Sequence, residues 1–237
     1  SFNSKNGIRV LRFALNDNSG GFLDGQSIKL AFTIRNEGVA AILPISASPA
    51  SLFRRCRVLA GGIEVSDVSE YSRFHESMAM LKDPQERFND LTEGWGGSIG
   101  STVANQVADP IAAGEERRVT CSFYSSFLNQ SKKLLISAMS GLVLELELGD
   151  GADCFSAADA DFTIIRPTIL ASVLHCDQAI MSSFSSHLLG GASISYNCPN
   201  SIFTMKSVVT SETFTLPIAR GFSRISAVFF SFYTGEG

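Results

Sequence analysis

The sequence is short of charge, and this shortage limits what the protein can bind. Asp, Glu, Lys and Arg make up 18% of its 237 residues, against about 25% in an average soluble domain. The net charge is −4, and the densest basic cluster is Arg54, Arg55 and Arg57 on one predicted strand. This argues against nucleic-acid binding that depends on phosphate neutralisation. No apolar run reaches the ~18 residues of a membrane-spanning helix. A chain with so little charge must cover apolar surface, usually by subunit contact.

Histidine is also scarce, and the three histidines fit no catalytic or zinc motif. His75 precedes a glutamate, but HExxH fails because Ala79 stands where the second histidine is required. We expect His75 to be solvated or to lie near a helix cap. His175 precedes Cys176, but neighbours on a strand point to opposite faces, and no GxSxG elbow occurs. The sequence therefore predicts no catalytic residue, no cofactor and no enzyme; a β-rich hydrolase is the weakest alternative.

The cysteines form no framework. They are odd in number, widely spaced and without a CxxC pair, which argues against disulfides and structural zinc. We expect buried free thiols in a reducing compartment. The five are Cys56, Cys121, Cys154, Cys176 and Cys198.

A period of two dominates what is present. SIKLAFTIRN places apolar residues on one face from Ile28 to Ile34, and GLVLELELGD does so from Leu142 to Leu148. RRVTCSFY alternates in the same way. This alternation is typical of antiparallel strands with one buried face.

Further strands are short and separated by Gly, Asn, Asp, Ser and Pro. They are predicted at Gly7–Leu15, Val39–Pro44, Leu52–Ala60, Ile63–Val65, Phe162–Arg166, Ser193–Asn197, Ile202–Val209, Thr213–Leu216 and Arg224–Tyr233. Gly61-Gly62 predicts a hairpin turn that needs positive φ. The pattern predicts an all-β, antiparallel jelly-roll sandwich with two or three short helices.

Three helices are predicted. Tyr71, Phe74, Met78 and Leu81 recur at three- and four-residue spacing, with Ser66 or Asp67 as the cap. The DPQE motif predicts a second helix, with Asp83 as its N-cap and Pro84 at the first helical position. The third candidate is Asp177–His187.

Two loops complete the pattern, at Glu93–Ile111 and Gly149–Asp161. The second contains Asp150, Asp153, Asp159 and Asp161, and carboxylates close together can bind calcium. Their spacing matches no EF-hand, so an acidic surface loop is favoured and no metal site is predicted. The alternative is a β-sandwich ligand-binding or adhesin-like module that depends on calcium at 149–161.

The stretch VLAGGIEV, at Val58–Val65, is followed by Tyr71, Phe74 and Glu76. It resembles a segment of the double jelly-roll major capsid proteins of tailless icosahedral DNA viruses. In that family an x-I-G-G-x-x-I-D turn leads into a helical segment with aromatic and acidic residues. Other pieces resemble the family in the same order, namely Ser131–Ala138, Leu142–Leu148, Phe162–Arg166, Thr213–Ile218 and Ile225–Phe232.

The resemblance implies two domains. Residues 1–190 would form a first jelly roll with a helical insertion at about 67–93, and 191–237 would form early strands of a second. Two rolls need about 16 strands, and the sequence offers twelve or thirteen. The second roll is thus expected to be truncated, continued in further residues or completed by another chain.

The implied function is a structural virion protein. The chain would form homotrimeric, pseudo-hexagonal capsomers in the shell of a virion. It would contact neighbouring capsomers and minor capsid or penton proteins, without sequence-specific nucleic-acid binding. Assembly would occur inside the host cell. The residues expected to pack a subunit seam, or the subunit's own core, are Tyr71, Phe74, Met78, Leu81 and Trp95.

Overall fold

The computed structural model describes residues 1–16, 21–97, 101–139, 141–157, 159–206, 213, 215–218, 221 and 224–232. The strands within these ranges are β1 (Phe2–Asn3), β2 (Val10–Ala14), β3 (Phe22–Asn36), β4 (Phe53–Ala60), β5 (Ile63–Ser69), β6 (Glu116–Ser122), β7 (Leu134–Leu135), β8 (Leu142–Leu148) and β9 (Phe162–Leu174). The helices are α1 (Tyr71–Ala79), α2 (Pro84–Gly94), α3 (Gly151–Cys154) and α4 (Gln178–Leu189), with short 3₁₀ helices at Pro49–Leu52 and Ile136–Ala138.

The strands form two antiparallel sheets. One has the order β1-β9-β3-β6, with the short β7 beside β3, and the other has the order β2-β8-β4-β5. With β7 left aside, the strands pair in a nested order. Strand β1 pairs with β9, β2 with β8, β3 with β6, and β4 with β5. The nested pairs alternate between the sheets, which is the topology of a jelly roll. The predicted fold class is confirmed.

The predicted alternation fills the space between the sheets. Every second residue of β8, from Leu142 to Leu148, is almost fully buried, while Glu145 and Glu147 point outward. Phe32 of one sheet meets Phe53 of the other edge-to-face, with ring centroids 6.2 Å apart. Each such side chain contributes about 1.5–3 kcal/mol when removed from water.

The hairpin between β4 and β5 has the predicted glycine turn. Gly61 and Gly62 have φ of 56° and 81°, a region that residues with a Cβ adopt only at a cost. The turn lies within the VLAGGIEV stretch.

Strands β3 and β9 run further than predicted because each is bent by a bulge. The predicted strand Phe162–Arg166 stops before Pro167, yet β9 continues to Leu174. The register shifts here, since Ala31 pairs with Thr168 and Thr33 with Ile165. The shift places Arg166, with a φ of 49°, and Pro167 in a bulge, where a missing N–H costs no ladder bond.

The predicted strand Val39–Pro44 is not formed. The segment makes only isolated bridges, Ile42 to Ile111 and Pro44 to Phe155. Pro44 has no N–H to donate, so a continuous ladder cannot pass through it.

Helices α1 and α2 lie between β5 and β6 and form the helical insertion. Asp83 caps α2 by accepting from the Gln85 N–H at 2.8 Å, as predicted. The predicted cap of α1 is wrong: Ser66 and Asp67 belong to β5. Asp67 accepts two hydrogen bonds from Arg55 of β4, which keeps it in the sheet.

After β9 comes α4, which corresponds to the predicted helix Asp177–His187, with Asp177 as its N-cap residue. None of the described helices is long and apolar enough to cross a membrane. Residues 191–206 and 224–232 contain no strand, so the predicted strand Ser193–Asn197 is not formed. The other strands predicted for the second roll fall partly outside the described residues. The second roll and the boundary at residue 190 therefore stay predictions.

Candidate functional site

The helical insertion covers one flank of the roll. Helix α1 packs on the 3₁₀ helix Pro49–Leu52 and on β4, and α2 packs on β6. Lys29 alternates with buried Leu30 and so points out of the sandwich, where it bonds Glu93 of α2 at 2.8 Å. Helix α2 thus lies against the outer face of the larger sheet, while α1 packs on β4 of the smaller sheet.

The five predicted packing residues divide between core and surface. Tyr71 and Trp95 are buried. Phe74 and Met78 are half-buried, and the Phe74 ring centroid lies 6.2 Å from that of Tyr71. Leu81 lies beyond the end of α1 and is 68% exposed. A core role fits Tyr71 and Trp95, whereas Leu81 is free to contact a partner; the subunit seam itself stays a prediction.

The buried face of α1 differs from the predicted stripe. It consists of Tyr71, His75 and Ala79, which are spaced four residues apart, so Phe74 and Met78 flank it. The expectation that His75 is solvated is wrong, because its side chain is only 4% exposed. Its contacts come from a distant segment, so the sequence around it carried no signal for this.

His75 lies in an aromatic and cationic environment. Its ring centroid is 4.7 Å from that of Tyr124 and 5.9 Å from that of Tyr71. The pKa of His75 is lowered to about 4, mainly by burial and also by the charge of Lys82, while a hydrogen bond with the backbone of Ser122 opposes both. The imidazole is therefore neutral near pH 7.

Trp95 anchors the C-terminal end of α2 to the jelly roll. Its Nε1 donates to the carbonyl oxygen of Ser46 at 3.0 Å, and its ring meets Phe155 edge-to-face at 6.2 Å. The sequence placed this tryptophan in a loop and gave no partner for it. Its position at the C-terminal end of α2 explains its burial.

Arg117 is a structural residue that sequence reasoning missed. Its guanidinium donates to the carbonyl oxygens of Asp109 and Pro110, both at 2.8 Å, and pairs with Glu115 at 2.8 Å. It thereby fixes the loop after α2. The signal was present, because Arg117 shares the inward face of β6 with Val119.

The exposed apolar residues of the insertion lie at its α1–α2 turn. Met80 and Leu81 are both about two-thirds exposed. Lys82 and Asp90 form a salt bridge of 2.7 Å beside them. An exposed apolar pair rimmed by charge has the composition of a contact patch.

Two carboxylates of the acidic loop, Asp150 and Asp161, already have partners within the protein. Asp150 pairs with Arg9 at 3.2 Å, and Asp161 accepts a hydrogen bond from Asn3 at 2.9 Å. Gly149–Asp161 is not loop throughout, since it contains α3. Among the described residues no group of three or more His, Cys, Asp or Glu could hold a metal ion.

All five cysteines are free thiols, as expected. Cys56, Cys121 and Cys154 are buried, whereas Cys198 is half-buried and Cys176 exposed. The expectation of burial is therefore wrong for Cys176, which lies exposed between the end of β9 and the start of α4.

Comparison with solved structures finds viral proteins with a similar fold. VP54 of PBCV-1, from a crystal structure fitted into a cryo-EM reconstruction of the virophage Sputnik, gives a TM-score of 0.50 at 13% identity, over 74% of this chain and 40% of VP54. The quasi-atomic PBCV-1 capsid gives 0.48 at 14%, over 74% and 40%. The Sputnik virophage structure gives 0.45 at 8%, over 74% and 47%.

The chain thus spans about two fifths of the length of VP54. No protein-family model matches it, and no curated protein matches its sequence. The likeness establishes the fold: the predicted resemblance to the double jelly-roll capsid proteins is confirmed at this level.

Proposed function

We propose that the chain is a structural protein of a virion, a major capsid subunit that assembles with two copies of itself into a trimeric, pseudo-hexagonal capsomer. The observation that carries the proposal is the nested strand pairing from β1 to β9, together with the TM-score of 0.50 to VP54. The proposed role is structural rather than enzymatic. Its partners would be copies of itself, neighbouring capsomers and minor capsid or penton proteins, and its location would be the capsid of the virion.

The physical basis of the proposal is a rigid sandwich with apolar residues left at its surface. Met80 and Leu81 at the α1–α2 turn are exposed, while the ends of the insertion are anchored by Tyr71 and Trp95. Burying apolar area between subunits contributes about 25 cal/mol per Å² before the costs of association. Met80 and Leu81 lie on a turn whose two helices are anchored at their outer ends. Their binding to a partner therefore costs little conformational entropy, which favours association.

The first test is the mass of the purified protein in solution by light scattering. A capsomer requires a stable species of three times 25.4 kDa. A chain that stays monomeric at every concentration would contradict the trimer and shift attention to the alternative, a β-sandwich binding module.

Three charge substitutions distinguish assembly from folding. Leu81→Glu should leave the free energy of unfolding within about 0.5 kcal/mol of the wild-type value, because the side chain is exposed, and should abolish the trimer. Phe74→Glu should impair both folding and assembly, because Phe74 packs against the core. Val39→Glu is the matched control, since Val39 is 98% exposed outside the insertion. If Phe74→Glu left folding and assembly intact, the predicted seam would be wrong.

A further inference from the structure

The contact between α1 and the segment after β6 contains a buried polar atom without a partner. Nδ1 of His75 makes no hydrogen bond, although its side chain is almost fully buried. The ring lies between Tyr71 on its own helix and Tyr124 after β6. Buried polar groups are rarely left unpaired, because an unpaired group costs about 1–3 kcal/mol. The contact is therefore less stable than its burial suggests.

The charged groups around His75 leave no free carboxylate for a protonated imidazole. A small cavity beside the ring is lined by Lys29, Lys82, Asp90, Glu93 and Cys121. Lys82 bonds Asp90 at 2.7 Å, and Lys29 bonds Glu93 at 2.8 Å. Each carboxylate thus already has its cation.

The neutral groups that face His75 compensate only in part, because the hydrogen bond with the backbone of Ser122 favours the protonated ring but does not outweigh burial. Burial raises the pKa of the Cys121 thiol and of the Tyr71 hydroxyl. Neither group therefore carries a negative charge near neutral pH. The Lys82 ammonium lies 5.3 Å from the centre of the Tyr124 ring, on which His75 also packs. A proton on His75 would place two cations on one aromatic ring.

The segment around His75 is held less firmly than its two ends. Tyr71 anchors the start of α1, and Leu91 and Trp95 anchor the end of α2, all fully or almost fully buried. Between these anchors α1 is held by two buried side chains, His75 and Ala79, and by the hydrogen bond of 2.6 Å that Ser46 donates to Glu76. The second half of α1 and the turn that follows can therefore separate from the roll while both anchors stay in place.

We propose that His75 is the trigger of an acid-sensitive opening, in which its protonation releases the second half of α1 and the α1–α2 turn while the jelly roll stays folded. This inference does not depend on the proposed function. It assigns to the insertion a conformational response that the exposed turn, Met80 and Leu81, would pass on to whatever contacts it.

The direction of the pH dependence follows from the two states. In the closed state the pKa of His75 is lowered to about 4, and in the open state it returns to its ordinary value of 6.5. A depressed closed-state pKa favours closure fully above pH 6.5, and this preference is lost as the pH falls toward 4. The opening constant rises about tenfold per pH unit in this window, or about 30-fold between pH 7.5 and pH 5.

Hydrogen exchange followed by mass spectrometry on the full chain tests the proposal. After correction for the intrinsic pH dependence of exchange, residues 71–83 should exchange about 30-fold faster at pH 5 than at pH 7.5. The peptide over Leu142–Leu148 should not change. In His75→Phe the difference for 71–83 should disappear, whereas His187→Phe, on exposed α4, should behave as wild type.

An NMR titration of the histidines keeps the test independent of that variant's folding. The proposal requires His75 to titrate well below pH 6.5, and Lys82→Met to move the pKa of His75 upward. The proposal is overturned if His75 titrates near 6.5 in the folded protein. It is equally overturned if residues 71–83 keep their wild-type protection at pH 5, or if His75→Phe opens with the wild-type pH profile.

Discussion

The backbone N–H of Tyr124 donates a hydrogen bond to Oη of Tyr71, 53 residues earlier, at 2.8 Å. The Tyr71 side chain is fully buried, and its ring packs against Phe74 and Phe123, with centroids 6.2 and 6.3 Å away. Tyr71 thus supplies an apolar ring to the core. Its hydroxyl oxygen also accepts the hydrogen bond of a backbone N–H that lies just beyond the end of β6.

Tyr71→Phe should destabilise the protein by about 1–2 kcal/mol, because it leaves the Tyr124 N–H unpaired in a partly buried position while the ring contacts remain. The measurement is the free energy of unfolding in urea. Tyr71→Ala should cost more, about 3–5 kcal/mol, through the cavity it creates. An unchanged midpoint for the phenylalanine variant would show that water replaces the hydroxyl.

Gly25→Ala should cost about 3 kcal/mol or more. Gly25 lies at the β3 bulge, where a Cβ would collide with the carbonyl oxygen of Leu128, a backbone atom that cannot rotate away. Gly221→Ala is the matched control, since no atom of the described residues lies within 4 Å of its Cβ position. Equal unfolding midpoints for the two variants would contradict the close approach at Gly25.

Arg117→Lys should loosen the loop that follows α2 without unfolding the roll. Lysine cannot donate simultaneously along the two arms that reach Asp109 and Pro110. We expect hydrogen exchange in residues 101–111 to accelerate by about tenfold, which corresponds to a decrease of roughly 1.4 kcal/mol in the free energy of local opening. Arg118→Lys is the control, because Arg118 makes only an exposed contact to the Arg166 carbonyl oxygen. Equal exchange in the two variants would exclude Arg117 as the clamp.

Thiol reactivity should separate the cysteines into classes. Cys176 is exposed and should react first with an aromatic disulfide reagent at pH 8, followed by half-buried Cys198. Burial raises the pKa of Cys56 and of Cys154 to about 12 and that of Cys121 also upward, so these three should react only after unfolding. Cys176→Ser should remove the fast phase. A third rapid thiol in the native protein would contradict the burial of this set.

The sequence predicted the strands well wherever side chains alternate between core and water. The bounds of β8 were predicted without error, because Leu142–Leu148 has a clear period of two. The predictions failed where tertiary contacts override a local signal. Pro167 marks a strand end in sequence, but the sheet absorbs it in a bulge, and that depends on the partner strand β3.

The insertion was predictable as a helical segment, but not its buried face. Apolar spacing identified Tyr71 correctly and selected Phe74, Met78 and Leu81 in place of His75. A histidine at the right spacing is invisible to a hydrophobic pattern. Its burial depends on Tyr124, which the sequence places 49 positions away and the topology brings to 4.7 Å between ring centroids.

The nesting of the strand pairs has a consequence for how the chain reaches this structure. Phe2 pairs with Ile164, while the β4–β5 hairpin closes on itself through Gly61 and Gly62. Contacts between distant residues carry a high loop-closure cost, so proteins dominated by them fold in milliseconds to seconds. The β4–β5 hairpin has the lowest entropic cost of loop closure. The cost for each enclosing pair falls once the pair inside it has formed. Folding should therefore proceed outward from the middle of the roll, and β1 must wait for β9 to form before it finds its partner.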